Sequence, residues 1–158
     1  MKLIILGTND LAKTIQNVAE QSGYEAVKIL PEADNFEQFI ADDTCFYPAF
    51  SDNELRYNWL LKINAAGGKI ATIVHPSAYV SPRAVIGKGS AVLPNATVNN
   101  EAILTYGCIV DLGAIIDHNT LLGNGAHVAP GVVVKSSNLI PAFMNAERNV
   151  EQGQYPFQ

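Results

Sequence analysis

An aliphatic residue recurs at every sixth position over much of the second half of this 158-residue chain. The uninterrupted series is Val74, Val80, Ile86, Val92, Val98, Leu104, Val110, Ile116, Leu122, Val128 and Val134. A small residue precedes nearly every member by two positions, and Gly or Asn often follows by three, as at Asn95, Gly107, Gly113, Asn119, Gly125 and Gly131. Neither an amphipathic helix nor an alternating strand has a period of six, so the sequence predicts a hexapeptide-repeat solenoid.

A triangular coil explains this period. Three flat faces of about six residues make a coil of about eighteen, with the aliphatic residue inside and the small residue at a tight corner. Gly and Asn accept the left-handed backbone that such turns need. Residues one coil apart then stack, so Val74, Val92, Val110 and Val128 are predicted to form one interior ladder of a parallel β-helix.

Residues 1–70 follow a different pattern, in which short apolar runs alternate with helical segments. The predicted elements are a strand at 2–6, a helix capped by Asn9 and ending near Gly23, a strand at 25–30, a helical turn at 36–41, a strand at 45–50, a helix at 53–66 and a strand at 70–74. The second helix is predicted to face inward with Leu55, Trp59, Leu60 and Ile63. This order predicts a small Rossmann-like parallel sheet of the nucleotide-binding type.

The chain therefore divides into three predicted segments. Residues 1–70 form an α/β N-terminal domain, and residues 71–138 form the short parallel β-helix. Residues 139–158 largely leave the six-residue period and are predicted to cap the open end of the solenoid. The apolar side chains expected in this cap are Pro141, Phe143, Met144, Tyr155, Pro156 and Phe157.

Composition excludes several classes of function. The net charge is -5 and no basic cluster occurs, so nucleic acid is not an expected partner. No stretch approaches the twenty or so apolar residues of a membrane span, and the apolar start is too short for a signal peptide, so a cytoplasmic protein is predicted. Cys45 and Cys108 are far apart in sequence, and Cys108, at a small-residue position of the repeat, is predicted to be a packed free thiol. Three histidines are too few to favour a shared metal site, so no metal is predicted.

Polar residues concentrate in two late stretches, Asp-Leu-Gly-Ala-Ile-Ile-Asp-His-Asn at 111–119 and Gly-Ala-His-Val-Ala-Pro-Gly at 125–131. The first strand with its loop and an Ile-Val-His-Pro-Ser-Ala segment at 73–78 precede them. With these motifs, residues 1–135 resemble the bacterial nucleotide-aminosugar N-acetyltransferases and sialic acid O-acetyltransferases, the NeuD/PglD-type branch of hexapeptide acyltransferases. The resemblance implies a left-handed β-helix and a homotrimer with active sites between subunits. It also implies acetyl transfer from acetyl-CoA to the amino group of a nucleotide-linked sugar in bacterial surface glycan biosynthesis.

The same resemblance implies roles for individual residues of the late coils. His118 matches the general base, a task that suits an imidazole because imidazoles titrate near neutral pH. Asn119 or Asp111 would orient that ring, and His127 matches a residue on the acetyl-CoA side of the pocket. The other residues expected around acetyl-CoA are Gly125, Ala129 and Gly131. The positions that match the nucleotide-sugar site are Gly7, Thr8, Asn9, Asp34 and Asn53.

Three departures from the family pattern keep a second interpretation open. Asn119 stands where the family commonly carries a carboxylate. The loop after the first strand retains Gly7 alone of the flexible residues and places Asp10 at a helix N-terminus, where a pyrophosphate would otherwise be favoured. The repeat also stops early, so the chain looks C-terminally shortened and lacks expected cofactor surface. The alternative is a catalytically lapsed, trimeric binding or assembly module of the same family.

Overall fold

The computed structural model describes residues 1–157 and contains an N-terminal α/β domain followed by a solenoid. The α/β domain contains β1 (Lys2–Leu6), α1 (Asp10–Glu20), β2 (Ala26–Leu30), a 3₁₀-helix (Ala33–Phe39), β3 (Thr44–Pro48), α2 (Asn53–Ala65) and β4 (Lys69–Ile70). The solenoid strands are β5 (Ile73–Val74), β6 (Tyr79–Val80), β7 (Val85–Ile86), β8 (Ala91–Val92), β9 (Thr97–Val98), β10 (Ile103–Leu104), β11 (Ile109–Val110), β12 (Ile115–Ile116), β13 (Leu121–Leu122), β14 (His127–Val128), β15 (Val133–Val134), β16 (Leu139–Ile140) and β17 (Asn145–Ala146). No helix within residues 1–157 is long and apolar enough to cross a membrane.

The α/β domain is a parallel four-stranded sheet in the order β2-β1-β3-β4, which confirms the predicted Rossmann-like sheet. Both helices begin at polar caps, because Asn9 Oδ1 accepts the Ala12 N–H at 3.0 Å and Asp52 Oδ1 accepts the Leu55 N–H at 2.7 Å. Helix α1 packs on one side of the sheet, and α2 with the 3₁₀-helix packs on the other. The chain passes from β1 outward to β2 and returns to β3 on the opposite side. The carboxyl ends of β1 and β3 therefore flank the kind of crevice where open α/β sheets bind ligands.

The solenoid is a left-handed parallel β-helix with three sheets. We call the sheet β17-β14-β11-β8-β5 the covered face, the sheet β15-β12-β9-β6 the second face and the sheet β16-β13-β10-β7 the third face. Val92 pairs with Val74 in the coil before it and with Val110 in the coil after it. The predicted interior ladder is thereby confirmed.

Interior positions are filled by the residues of the six-residue series. From Val92 to Ile140, every member of the series is at most 1% exposed. Val74 belongs to the first coil and is 37% exposed, because no coil stacks on its outer side. The small residues Ala96 and Ala114 are buried at the corners, as the triangular coil requires.

Residues with a left-handed backbone occur at the corners, at the same position of the six-residue repeat. The corner residues with positive φ are Gly89, Asn95, Glu101, Gly107, Gly113, Asn119, Gly125, Gly131, Ser137 and Phe143. Glu101, Ser137 and Phe143 have φ between 60° and 63°, although a Cβ atom crowds the following carbonyl in this region. Coil geometry therefore imposes the turn even where the sequence supplies neither Gly nor Asn.

The solenoid continues past the predicted boundary at residue 138. Strand β16 pairs with β13, β17 pairs with β14, and Val150 bridges to β15. Ala146 takes the interior place next to Val128, and its small side chain hides the period in the sequence. The predicted boundary is therefore two strands too early. Tyr155 packs against the solenoid interior at this end.

Two details of the α/β domain also differ from the prediction. The strand predicted at 70–74 is two strands, because β4 joins the α/β sheet while β5 begins the covered face. Leu55 is 44% exposed instead of facing inward. Arg56 takes the buried position together with Leu60 and Ile63, which follow it at helical spacing.

The α/β domain packs on the covered face of the solenoid. Ile73, Ala91 and Ile109, which point outward from successive coils, are buried in one cluster with Tyr47 of β3 and Ile15 of α1. An outward-facing row of solenoid residues is thus part of the core of the α/β domain. This packing fixes the crevice at β1 and β3 relative to the late coils.

Replacing Glu101 by Gly should raise the free energy of unfolding by about 0.5–1 kcal/mol. Gly adopts φ of 60° without a Cβ clash, and this relief of strain outweighs the larger chain entropy that Gly loses on folding. Glu101→Ala is the matched control, since it removes the side chain but keeps the Cβ atom. Chemical denaturation at one protein concentration measures both variants. Equal stability of the Gly and Ala variants would contradict the strain at this corner.

Candidate active site

His127 forms a close pair with a carboxylate on the covered face. Its Nε2 atom lies 2.7 Å from Asp111 Oδ2. His127 lies directly beside Ile109 in the neighbouring coil, so Asp111 is its diagonal neighbour and within reach of the ring. The side chains of His127 and Asp111 are 22% and 15% exposed, which makes this a largely buried pair.

The surroundings of Asp111 favour its ionised form. Burial opposes the charge, but hydrogen bonds from His127 and from the Leu112 N–H at 2.8 Å outweigh it, so the pKa of Asp111 is lowered. An ionised carboxylate accepts the Nε2 proton of a neutral imidazole and leaves Nδ1 as the free nitrogen. His127 Nδ1 has no hydrogen-bond partner among residues 1–157.

His118 forms a second pair, with Asp117, through the opposite ring nitrogen. Its Nδ1 atom lies 3.2 Å from Asp117 Oδ1, which also accepts the His118 backbone N–H at 2.8 Å and Asn99 Nδ2 at 3.0 Å. The backbone hydrogen bond is the largest of the effects that lower the pKa of Asp117. The His118 side chain is 57% exposed, so the ring stands in solvent with Nε2 available.

Neither predicted partner orients His118 in the structure. Asn119 has φ of 54° at its corner, and its amide lies 3.4 Å from Ser137 Oγ in the next coil. Asp111 belongs to the covered face and binds His127 instead. Asp117, the residue immediately before the histidine, takes the orienting position.

The structure does not bring His118 and His127 together within one chain. His118 lies in the turn between β12 and β13, at the edge between the second and third faces. His127 lies on β14 of the covered face, beside the α/β domain. A site that uses both imidazoles therefore needs two copies of the chain.

Sequence reasoning missed a buried arginine that joins the two domains. The Arg56 guanidinium is inaccessible to solvent and donates to Gly107 O at 3.2 Å, Gly125 O at 2.9 Å and Phe50 O at 3.0 Å. Burial is the main cause that lowers the pKa of Arg56. The signal was present in the sequence, since Asn53, Arg56 and Leu60 share one side of α2 at three- and four-residue spacing.

Tyr47 was also missed, and it lies in the same buried region. Its hydroxyl group is buried without a hydrogen-bond partner among residues 1–157. Burial raises the pKa of Tyr47 to about 12, and the charge of Asp111 adds to this effect. The pair formed by Asp111 and His127 therefore borders an apolar interior on the side of the α/β domain.

The predicted nucleotide positions lie at the carboxyl end of the α/β sheet. Gly7 has φ of 112°, and a Cβ there would approach Ala49 O at 3.1 Å, so Gly7 allows close contact between the loops after β1 and β3. Asn9 Nδ2 donates to Ser51 Oγ at 3.2 Å across the same two loops. Thr8 is exposed between them. Gly7, Thr8 and Asn9 therefore lie together beside the crevice.

Asp34 and Asn53 have other contacts. Asp34 is exposed and forms an ion pair with Lys62 at 3.0 Å. Asn53 is buried, and its amide donates to Phe143 O at 3.0 Å and to Asn145 Oδ1 at 2.8 Å. Asn53 therefore attaches α2 to the solenoid, and both contacts of its amide nitrogen are made to solenoid residues.

The three other residues expected near acetyl-CoA fall in different surroundings. Gly125 faces α2, because a Cβ there would meet Phe143 at 2.8 Å and Asn53 O at 2.9 Å. Ala129 follows β14 and is partly buried. Gly131 lies at an open corner, where a Cβ would meet nothing within 4 Å. A side chain would therefore have room at Gly131 and not at Gly125.

A cavity of about 270 Å³ lies between α2 and an early corner of the solenoid. The residues that line it are Tyr57, Leu60, Leu61, Asn64, Ile70, Lys88 and Tyr106. It contains none of the residues that the sequence assigned to a site. We therefore locate the candidate site by the two histidine pairs and not by this cavity.

Together, the α/β domain and the left-handed β-helix define a hexapeptide-repeat architecture with a nucleotide-binding-like N-terminal domain. No protein-family model matches the chain. Solved structures with the same fold include the acetyltransferase domain of PglB from Neisseria gonorrhoeae. It is 23% identical with a TM-score of 0.72, and the match covers 96% of this chain and 94% of that one. The same domain in complex with acetyl coenzyme A matches with a TM-score of 0.74 at 23% identity, over 91% of this chain and 94% of that one.

A mutant of perosamine N-acetyltransferase from Caulobacter crescentus, in complex with CoA and GDP-perosamine, has the same architecture. It is 20% identical with a TM-score of 0.76, over 95% of this chain and 90% of that chain. The matches extend over at least 90% of the three neighbouring chains. This extent is at odds with the prediction that late coils are missing.

Replacing Asp111 by Asn should lower the free energy of unfolding by about 1.5 kcal/mol at neutral pH, the low end of the range for hydrogen bonds to a charged group. The folded-state pKa of Asp111 lies below its ordinary value, so its stabilising effect is present above that value and is lost as pH falls through the folded-state pKa. The difference between wild type and variant should therefore shrink below about pH 4.

Denaturation curves measured from pH 7 to pH 3 test this dependence. Asp42→Asn removes the same charge at an exposed position and should differ little from wild type throughout. A difference for Asp111→Asn that stays constant down to pH 3 would show that the carboxylate charge does not contribute.

Proposed function

We propose that this protein is an acetyl-CoA-dependent acetyltransferase that acts on the amino group of a nucleotide-linked sugar in bacterial surface glycan biosynthesis. The observation that carries the proposal is the pair of oriented imidazoles in the late coils of a β-helix whose structural neighbours are acetyltransferases. The crevice beside Gly7 and Asn9 supplies a place for the nucleotide. A cytoplasmic location stays a prediction.

His118 is the proposed general base. Asp117 holds its Nδ1 side, so Nε2 faces solvent and can accept a proton from the attacking nitrogen. The nitrogen attacks the thioester carbonyl carbon, backbone N–H groups stabilise the oxyanion, and the C–S bond then breaks. His118 returns the proton to the departing sulfur, and no covalent enzyme intermediate is needed.

Acetyl-CoA is the proposed acetyl donor. Two of the neighbours described above are complexes with acetyl coenzyme A or CoA. The open corner at Gly131, with Ala129 beside it, fits a cofactor that runs past Asp111 and His127. Gly125 has a different proposed role, since its carbonyl anchors Arg56 at the start of the coil that carries His127.

A homotrimer is the proposed assembly. The third face presents a row of aliphatic side chains in register, one from each of four successive coils: Val85, Ile103, Leu121 and Leu139. Val85 and Ile103 are exposed in the single chain. A contiguous row of exposed aliphatic side chains is typical of a surface that binds another protein chain. Packing of this face on another copy would bury the row and bring the neighbouring His118 edge close to a second chain.

His118→Ala should lower turnover by about two to four orders of magnitude, because it removes the base while leaving the solenoid interior intact. His75→Ala is the matched control, since His75 is exposed in the first coil and contacts Ser77 and Gln21. CoA thiol release from acetyl-CoA is measured with GDP-perosamine and with other GDP- and UDP-linked amino sugars. A fully active His118→Ala enzyme would contradict the assigned role.

The competing function is a trimeric binding or assembly module without catalysis. The side chains of Asn9 and Asp34 are already engaged within the chain, which favours a nucleotide loop that no longer binds tightly. Calorimetry with acetyl-CoA separates the two functions. Heat of binding together with thiol release supports the transferase, whereas no heat at millimolar acetyl-CoA supports the module.

Ile103→Lys should convert the trimer to monomers, because it places a charge in the middle of the aliphatic row on the third face. Leu61→Lys is the matched control, since Leu61 is an exposed leucine of α2 outside the solenoid. Light scattering on the wild type and both variants gives the masses. A monomeric wild type would exclude a site shared between subunits and with it the proposed mechanism.

A further inference from the structure

The two histidine pairs hold their rings by opposite nitrogens. Asp117 contacts Nδ1 of His118, and Asp111 contacts Nε2 of His127. A carboxylate on one ring nitrogen fixes the proton there and makes the other nitrogen the acceptor. The structure therefore provides two oriented proton acceptors, although a single general base suffices for transfer to a hydroxyl group.

The number of protons that leave the acceptor depends on its chemistry. A hydroxyl group loses one proton when it becomes an ester. An aliphatic amine is largely an ammonium ion at neutral pH, since such groups titrate between about 8 and 10. The ammonium must lose one proton before nitrogen can attack and a second after the C–N bond forms. An enzyme for ammonium substrates therefore has use for two acceptors.

We propose that Asp111 and His127 form a second base that deprotonates the incoming sugar ammonium before its nitrogen attacks the thioester. This inference rests on the proposed acetyltransferase function. His127 Nδ1 takes the first proton and releases it to solvent. The nitrogen lone pair then forms the C–N bond, His118 takes the second proton, and the C–S bond breaks. His118 gives its proton to the sulfur, so the products are the amide, CoA thiol and one proton.

The geometry of Asp111 fits a positioning residue. Its Oδ1 atom accepts the Leu112 N–H at 2.8 Å, and its backbone N–H binds Val128 O at 3.0 Å, so the carboxylate cannot rotate freely. Oδ2 is thereby aimed at the His127 ring at 2.7 Å. The His127 side chain is 22% exposed and its Nδ1 has no hydrogen-bond partner among the described residues, so this nitrogen is free to accept a proton.

The other ionisable groups around this pair keep one charge state near neutral pH. Burial raises the pKa of Tyr47 to about 12 and the pKa of Cys108 to about 11, so both stay neutral between pH 7 and pH 9. Arg56 binds the turn that precedes His127 and stays protonated in this range. Glu147 lies exposed on the next coil of the covered face. A change of rate in this interval therefore does not come from Tyr47, Cys108 or Arg56.

The test is the pH dependence of kcat/KM for Asp111→Asn, with acetyl-CoA and the GDP- or UDP-linked amino sugar that the wild type acetylates. At pH 7 the variant should be about 10- to 1,000-fold below wild type, because it depends on the fraction of free amine that a pKa between about 8 and 10 leaves. The ratio should then recover by about tenfold per pH unit up to the pKa of the amine. A merely structural role of Asp111 would give a ratio that does not change with pH.

Asp117→Asn is the matched control, because it makes the same change in the other pair. It should lower kcat/KM by a factor that stays constant from pH 7 to pH 9. Asp111→Glu should restore part of the pH 7 activity, and His127→Gln should reproduce the recovery at high pH if Asp111→Asn does not fold. A flat ratio for both Asp111→Asn and His127→Gln, or recovery in Asp117→Asn, would overturn this inference. An inactive wild type would instead contradict the proposed function itself.

Discussion

The structure depends on one buried guanidinium. A charge without a counter-charge is costly inside a protein unless hydrogen bonds compensate for lost water. Arg56 meets this condition through three carbonyl groups, one in the loop after β3 and two at corners of successive coils, Gly107 and Gly125. The same residue therefore fixes the loop after β3, which borders the crevice, and the coil that carries His127. A shift of α2 would disturb both halves of the candidate site together.

The sequence predicted the interior of the solenoid well because the interior obeys a single rule. Each coil repeats the same three inward positions, so an aliphatic residue at every sixth place is enough to define the coil and its stacking. The rule fails where the inward residue is small, as at Ala146, and there the predicted end was misplaced. It also says nothing about the outward residues, which decide which face the α/β domain covers. Ile73 and Ile109 look like any other exposed aliphatic residues in the sequence but are buried by that domain.

Sequence reasoning identified the histidines of the candidate site but did not identify their partners. His118 and Asp117 are adjacent in the chain, whereas His127 reaches Asp111 diagonally across two coils. That second contact follows from the stacking register, which places Ile109 beside His127. A family pattern alone does not contain this register, so the sequence offered Asp111, as an alternative to Asn119, to His118 and not to His127. Arg56 was missed for a related reason, since the carbonyl groups that it contacts, those of Phe50, Gly107 and Gly125, come from distant parts of the fold.

The distribution of the two pairs over different faces determines which chain supplies which part of a shared site. The α/β domain packs on the covered face, so the crevice at β1 and β3 lies on the same side of the solenoid as the pair of Asp111 and His127. His118 stands on the opposite edge, between the second and third faces. In the proposed trimer, one subunit therefore holds the nucleotide and receives the ammonium group, while its neighbour supplies His118 to the reacting carbonyl. Catalysis then requires assembly. A single chain carries both histidines but cannot bring them to the same substrate molecule.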